Sequence, residues 1–373
     1  MTTNAVTIDS NSGAQTRAAF RDVQLYTPDR GAVAIDLSDN TNRWGAPPAA
    51  LRELRASPES ALARYPDVYA ASLKEALAAY VRADCPTVSP AMIVTDCGSD
   101  DVLDSAIRAF AESGDRLAML QPSFPMVPLF ARMNGLSVDP IPLNASYDLD
   151  VDRLLAGDPA IVYLCSPNNP TGTIVPRATI EAVIARARGV VIVDEAYVEF
   201  SGASVVDLVA RSPRLLVVRT LSKAFGLAGL RVGYGIGNAT LIAEVEKSRG
   251  PYKVSAASER AAVAALTEDL DWVRARVADA VTNRATLVTA LRERGLDVLP
   301  SASNFLLAPM KDARGIARGM RDRGVAVRAF SDLHCDIPAL QFTNGSALRI
   351  SVGPWPELEA ALAAFDEARA ACG

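Results

Sequence analysis

From about residue 90 onward, short uninterrupted apolar runs alternate with stretches whose apolar residues recur every three or four positions. A-M-I-V-T-D-C-G leads into S-D-D-V-L-D-S-A-I-R-A-F-A-E-S, where Val102, Leu103, Ala106, Ile107 and Phe110 share one helical face. R-L-A-M-L, a helix over P-M-V-P-L-F-A-R-M, A-I-V-Y-L, a helix over A-T-I-E-A-V-I-A-R-A, V-V-I-V, L-L-V-V and R-V-G-Y-G-I follow. Runs that are apolar at every position and rich in β-branched residues suit strands covered on both faces. The pattern therefore predicts an α/β fold, a mostly parallel sheet flanked by helices, with function gathered beyond the strands' carboxyl ends.

Around Gly250-Pro251 the pattern changes to one long helix-forming stretch, roughly Ser255 to Arg294. Short strands in N-F-L-L-A-P-M, G-V-A-V-R and A-L-R-I-S-V, with helices in G-I-A-R-G-M-R-D-R and P-E-L-E-A-A-L-A-A-F-D-E-A-R, complete a second, smaller α/β unit. The expected organisation is an N-terminal arm over 1–45, a large domain over 46–252 and a small C-terminal domain over 253–373.

Charge narrows the partners. With a formal net charge of -5 and no Lys/Arg run interleaved with aromatics, the chain offers no field for nucleic acid. Residues 1–20 lack the apolar core of a signal peptide and no later run approaches membrane-spanning length, so a soluble, cytoplasmic protein is expected. The five cysteines, Cys85, Cys97, Cys165, Cys335 and Cys372, form no C-x-x-C pair and are expected to be reduced thiols. No metal site is expected. The only histidine, His334, has no nucleophile elbow to serve.

Each apolar strand of the large domain runs into a polar cluster. V-V-I-V ends in Asp194-Glu195-Ala196-Tyr197, L-L-V-V in Arg219-Thr220-Leu221-Ser222-Lys223, and A-I-V-Y-L-C in S-P-N-N-P-T-G. Gly98 and Ser99 fall at a helix N-terminus, where unpaired N–H groups favour a phosphate. A lysine beside a strand end is by itself ordinary, Asp194 alone could cap a turn, and N-N-P-T-G alone could be one. Converging at successive strand ends, a lysine, an aspartate, a tyrosine, an asparagine and a phosphate cradle meet the needs of pyridoxal 5'-phosphate.

With A-R-Y-P-D, G-S-D-D, S-P-N-N-P-T-G, V-D-E-A-Y and T-L-S-K-A-F-G-L-A-G-L-R-V-G-Y in place, the chain resembles the fold-type I, pyridoxal-phosphate-dependent aminotransferases of class I/II. Within them it is most similar to the subfamily acting on histidinol phosphate. The resemblance covers roughly residues 25 to 370 and implies a seven-stranded-type sheet in the large domain. It implies that Lys223 is the Schiff-base lysine and proton carrier, Asp194 the partner of the pyridine nitrogen, and Tyr197 and Asn169 the groups meeting the 3-oxygen. Phe124 takes the place of the stacking aromatic. Gly98, Ser99, Asp100, Thr220, Ser222 and Arg231 form the phosphate cradle, and Tyr65 reaches the cofactor phosphate of the neighbouring subunit, which implies a homodimer with shared active sites. Arg349, Arg328, Tyr26 and Asn169 are implied to bind the substrate.

Two segments depart from the family pattern. N-T-N-R, Asn40 to Arg43, replaces an acid by Thr41 and a proline by Arg43, and the connection between Arg328 and Arg349 is longer than usual. Both lie near the substrate's distal end in the family. The expected activity is transfer of an amino group from a small-molecule amine, L-histidinol phosphate, to the 2-oxo acid 2-oxoglutarate by a ping-pong cycle in amino-acid biosynthesis. The alternatives are an aromatic or other amino-acid aminotransferase of a specialised pathway, and a lyase resembling the threonine-phosphate decarboxylases.

Overall fold

After a two-residue strand, β1 (Ile35–Asp36), the chain lays down seven strands of one sheet. They are β2 (Ile93–Cys97), β3 (Arg116–Gln121), β4 (Ser137–Pro142), β5 (Ile161–Cys165), β6 (Val190–Asp194), β7 (Leu215–Thr220) and β8 (Val232–Gly237), arranged β2-β8-β7-β6-β5-β3-β4. All run parallel except β8, which is antiparallel to both β2 and β7. This computed structural model describes residues 31–372 together with Arg17, Phe20, Arg21 and Val23. Tyr26 and most of the expected N-terminal arm lie outside the described residues.

Every residue of β5, β6 and β7 is buried. Because successive side chains point to opposite faces, Val162, Leu164, Val191, Val193 and Val217 join one core, while Tyr163, Cys165, Ile192, Leu216 and Val218 join the other. Each such side chain contributes roughly 1.5–3 kcal/mol of burial, so strands apolar at every position are held from both sides.

A second sheet, β11-β12-β9, is antiparallel and is built from β9 (Phe305–Pro309), β11 (Arg328–Phe330) and β12 (Ala347–Ser351). β10 (Val325–Ala326) pairs instead with β1 in parallel. The chain leaving β1 passes the second sheet, where Leu37 O accepts from Ser351 N at 2.9 Å, and reaches the loop after β7, where Asn42 Nδ2 donates to Ala224 O at 2.9 Å.

Two sequence expectations need correction. The long helix-forming stretch is two helices, Ala256–Glu268 and Leu270–Glu293, broken at Asp269. The backbone turns off helical geometry there (φ −113°, ψ 15°) while the Asp269 carboxylate accepts from Ala49 N at 2.6 Å. The strand β4, S-V-D-P-I-P, does not read as a strand because it holds two prolines. It lies at the sheet's edge, where a missing N–H costs no ladder bond.

No helix among the described residues is long and apolar enough to cross a membrane. Cys85, Cys97, Cys165 and Cys335 are free thiols.

Candidate functional site

β2, β5, β6 and β7 run in one direction, which brings their carboxyl ends to one edge of the sheet, and the polar clusters predicted from sequence lie at those ends. Lys223, in the loop after β7, is half-buried, with Nζ 3.3 Å from Asp39 O and 5.9 Å from the centre of the Tyr197 ring. Burial, then the positive charge of Arg349, lowers its pKa to about 8, against the opposing pull of Asp39 and Asp100. A neutral, nucleophilic amine is therefore accessible near physiological pH.

Asp194, the last residue of β6, is 4% exposed. Its Oδ2 accepts from Tyr163 OH at 2.8 Å and its Oδ1 from Ala196 N at 3.0 Å. Burial raises its pKa to about 6, while both hydrogen bonds act to keep it ionised. Tyr163 escaped the sequence reading, although a single polar-tipped residue in the apolar run I-V-Y-L-C was a signal.

Tyr197 OH accepts from Asn40 Nδ2 at 3.1 Å, and the Tyr197 ring meets Phe305 edge-on at 5.2 Å. Arg349 Nη1 donates to Asn169 Oδ1 at 2.6 Å, and its Nη2 to Ser38 O at 2.6 Å. The guanidinium lies 5.4 Å from the Phe305 ring centre and 5.7 Å from that of Phe330. Arg328 sits directly opposite Arg349 in the β11–β12 register, 5.9 Å from the Phe330 ring centre. The turn S-P-N-N-P-T-G is fixed by its first asparagine, Asn168, which donates to Pro122 O and Thr171 Oγ1 and accepts from Ser123 Oγ.

Beside Lys223, Thr220 Oγ1 donates to Ser222 Oγ at 2.9 Å, and Ser222 N donates back to Thr220 Oγ1 at 3.1 Å. The helix Gly98–Phe110 begins here, with Ser99 and Asp100 in its first turn and Arg231 Nη2 3.4 Å from Asp100 Oδ2. Only glycine fits at two places. Gly98 has a φ of +82°, and a Cβ there would lie 2.4 Å from Arg231 Nη2; a Cβ on Gly233 would lie 2.0 Å from Ser99 N. Phe124 packs against the core near this edge.

Tyr65 is not brought into this cluster: it is 83% exposed and stacks on Tyr252 at 4.8 Å. Tyr26 lies outside the described residues. The substituted Arg43 is committed to Glu357, with Nε–Oε2 at 2.8 Å and Nη2–Oε1 at 3.0 Å, and Thr41 Oγ1 donates to Asp39 Oδ1 at 2.7 Å. In the long connection, Leu333 N donates to Gly345 O and Asp336 N to Leu143 O, and His334 is exposed.

Over residues 32–365 the chain matches the family model described as Aminotransferase class I and II. The chain belongs to the class I and II aminotransferases. This aminotransferase is 38% identical over 287 residues to the histidinol-phosphate aminotransferase of Thermoanaerobacter sp. (strain X514), covering 76% of this chain and 80% of that one. It is 35% identical over 362 residues to histidinol-phosphate aminotransferase 2 of Burkholderia mallei, covering 94% and 98%. The fold is shared with histidinol-phosphate aminotransferase from Sinorhizobium meliloti, solved in complex with pyridoxal-5'-phosphate, at a TM-score of 0.84, 24% identity, and coverage of 98% of this chain and 100% of that one.

Tyr163 gives this aminotransferase a testable feature. Tyr163→Phe removes the hydroxyl proton from Asp194 Oδ2 and leaves Ala196 N to hold the carboxylate, which also faces the charges of Asp100 and Glu195. The acid limb of its turnover is expected to move up by about one pH unit, read from a kcat/KM profile; an unchanged profile contradicts the role.

Proposed function

We propose that this aminotransferase uses pyridoxal 5'-phosphate to move an amino group from L-histidinol phosphate to 2-oxoglutarate in two successive half-reactions. The observation that carries the substrate is the Arg328–Arg349 pair, facing each other across neighbouring strands. Like charges directly opposite are destabilising in a sheet, so the pair is useful where an anion sits between them. A phosphate dianion offers both guanidinium groups charge-assisted hydrogen bonds. Arg349 also contacts Asn169, which ties that anion site to the strand-end cluster. The relatives from Thermoanaerobacter and Burkholderia, named as histidinol-phosphate aminotransferases, support the same reading.

The donor set fits the cofactor. A buried acid at a strand end, an amine with a depressed pKa and a helix N-terminus flanked by two hydroxyls and an arginine are chemically matched to a pyridine nitrogen, an aldehyde and a phosphate. When bound, pyridoxal phosphate supplies the carbonyl carbon that takes the amine and a protonated ring that draws electrons from the substrate's α-carbon. The N–H groups of Ser99 and Asp100, with Gly98 opening the turn, and the side chains of Thr220, Ser222 and Arg231 would hold its phosphate. Asp194 keeps a proton on the ring nitrogen, Tyr197 and Asn169 serve the 3-oxygen, and Phe124 supplies an aromatic face. Lys223 Nζ is the amine that would hold the cofactor's carbonyl carbon, and the base placed to take the proton from the substrate's α-carbon.

In this reading two copies complete the site, with the exposed Tyr65 reaching the partner copy's cofactor phosphate, and Tyr26 is one of the residues that bind the substrate. In the same reading the chain divides into a large unit over 46–252 that carries the cofactor residues and a small unit over 253–373 that carries both arginines, with 1–45 an arm packing with the small unit. Its free thiols suit the reducing cytoplasm.

The test is a half-reaction screen, following loss of the bound cofactor's visible absorbance with L-histidinol phosphate, L-histidinol and aromatic amino acids, together with product analysis. Preference for the phosphorylated amine supports the proposal; carbon dioxide release without a keto product overturns it. Arg328→Ala is expected to raise KM for L-histidinol phosphate about 10- to 100-fold and to leave KM for an unphosphorylated amine nearly unchanged. Equal effects on both donors point to a carboxylate substrate.

A further inference from the structure

Three consecutive residues of the segment leaving β1 touch three side chains of the site: Ser38 O accepts from Arg349, Asp39 O from Lys223, and the Asn40 side chain donates to Tyr197. Asn40 is 1% exposed and has a φ of +60°, a backbone state that asparagine, aspartate and glycine tolerate best. Its polar groups are engaged on every side. The N–H donates to Ser351 Oγ at 2.9 Å, the backbone carbonyl accepts from Asn304 Nδ2 at 2.9 Å, and Oδ1 accepts from Ser351 Oγ at 3.2 Å.

These bonds decide which way the carboxamide faces. Ser351 Oγ already accepts the Asn40 N–H, so its one proton goes to Asn40 Oδ1, and the NH2 end is left facing Tyr197. The Tyr197 oxygen is thereby an acceptor toward Asn40, and its own proton is free for another partner. Burial raises the Tyr197 pKa, against Arg349 and Asn40, so the phenol keeps that proton.

We propose that Asn40 is a positioning residue that sets the direction of the Tyr197 hydroxyl, so that the phenol donates its proton to the cofactor's 3-oxygen. The inference rests on the cofactor reading above and deepens it. A donated hydrogen bond favours the charged form of the oxygen that receives it, so losing the donor raises the pH at which the bound cofactor titrates. The other groups facing Tyr197, namely Arg349 from β12, Lys223 from the loop after β7, and Cys165 and Asp194 at the ends of β5 and β6, are the same in every variant compared.

The experiment titrates the visible absorbance of the full chain loaded with pyridoxal phosphate, with melting temperatures recorded in parallel. Tyr197→Phe is expected to move the midpoint up by about one pH unit. Asn40→Asp presents a carboxylate that draws the Tyr197 proton to itself, and is expected to move the midpoint as far. Asn40→Gly keeps the backbone state, adds no charge and frees the hydroxyl, and is expected to give a smaller upward shift. Midpoints at the wild-type value in both Asn40 variants, whatever their melting temperatures, overturn the inference alone. A wild-type chain that takes up no cofactor overturns the cofactor reading and this inference together.

Discussion

Lys223→Ala is expected to abolish amino transfer while the cofactor-free chain still folds. The amine is the group positioned over the Tyr197 ring and beside Arg349, and burial already brings its pKa down to about 8. Positioned proton transfer alone is worth about 10²- to 10⁴-fold, and the variant also lacks the covalent link to the cofactor, so residual turnover below about a thousandth is expected in single-turnover measurements. Retained turnover above about a tenth counts against the assignment. A stability signature accompanies it. Since the folded pKa lies below the ordinary 10.5, the unfolded chain binds more protons between pH 8 and 10.5, and wild-type stability rises across that window. Lys223→Met removes the cost of burying the charge, so the cofactor-free variant should melt higher than wild type at pH 7, with the gap closing above pH 10.5.

Asp194→Asn is the second large effect. An amide cannot hold a positive charge on the ring nitrogen, and losing one buried electrostatic partner of this kind costs about 10²- to 10³-fold in kcat. Here the sign runs the other way with pH. The folded pKa of about 6 lies above the ordinary 3.8, so the folded chain binds the extra proton between those values and stability falls as pH rises through them. The full cost, a few kcal/mol, is present above pH 6, so the cofactor-free Asn variant should be the more stable at pH 7 and match wild type below pH 3.8. Near-normal turnover, or a variant less stable at pH 7, contradicts the role given to Asp194. Both residues oppose folding where they serve chemistry, a common trade at active sites.

The strands that position this site were legible because β5, β6 and β7 are apolar at every position, a pattern only a sheet covered on both faces explains. Strand β4 was hidden by its prolines, and the break at Asp269 by a partner 220 residues away. Lys223, Asp194, Tyr197 and Asn169 were readable together because each lies at or just after a strand end. Asn40 was not, since its meaning depends on Tyr197, 157 residues on, and on Ser351, 311 residues on. Arg43, a departure from the family pattern, is half of an ion pair with Glu357, 314 residues distant, and that partner could not be read from the sequence. Sequence patterns carry local periodicity; they do not carry which distant partner a polar side chain will find.

The one reversed strand in the main sheet has a mechanical result. Because β8 runs back against β7, residues 221–231 leave the sheet at Thr220 and return to it at Val232 on the same edge, closed by Leu221 N to Val232 O at 3.0 Å. Inside that closed loop Leu227 N returns to Leu221 O and Gly226 N to Lys223 O. Lys223 and Arg231 are therefore spaced by a ring of fixed circumference rather than by two independent arms. The loop works as a ruler: a single residue inserted between 223 and 231 is expected to pull the Lys223 amine out of step with the Arg231 guanidinium even if every side chain were kept.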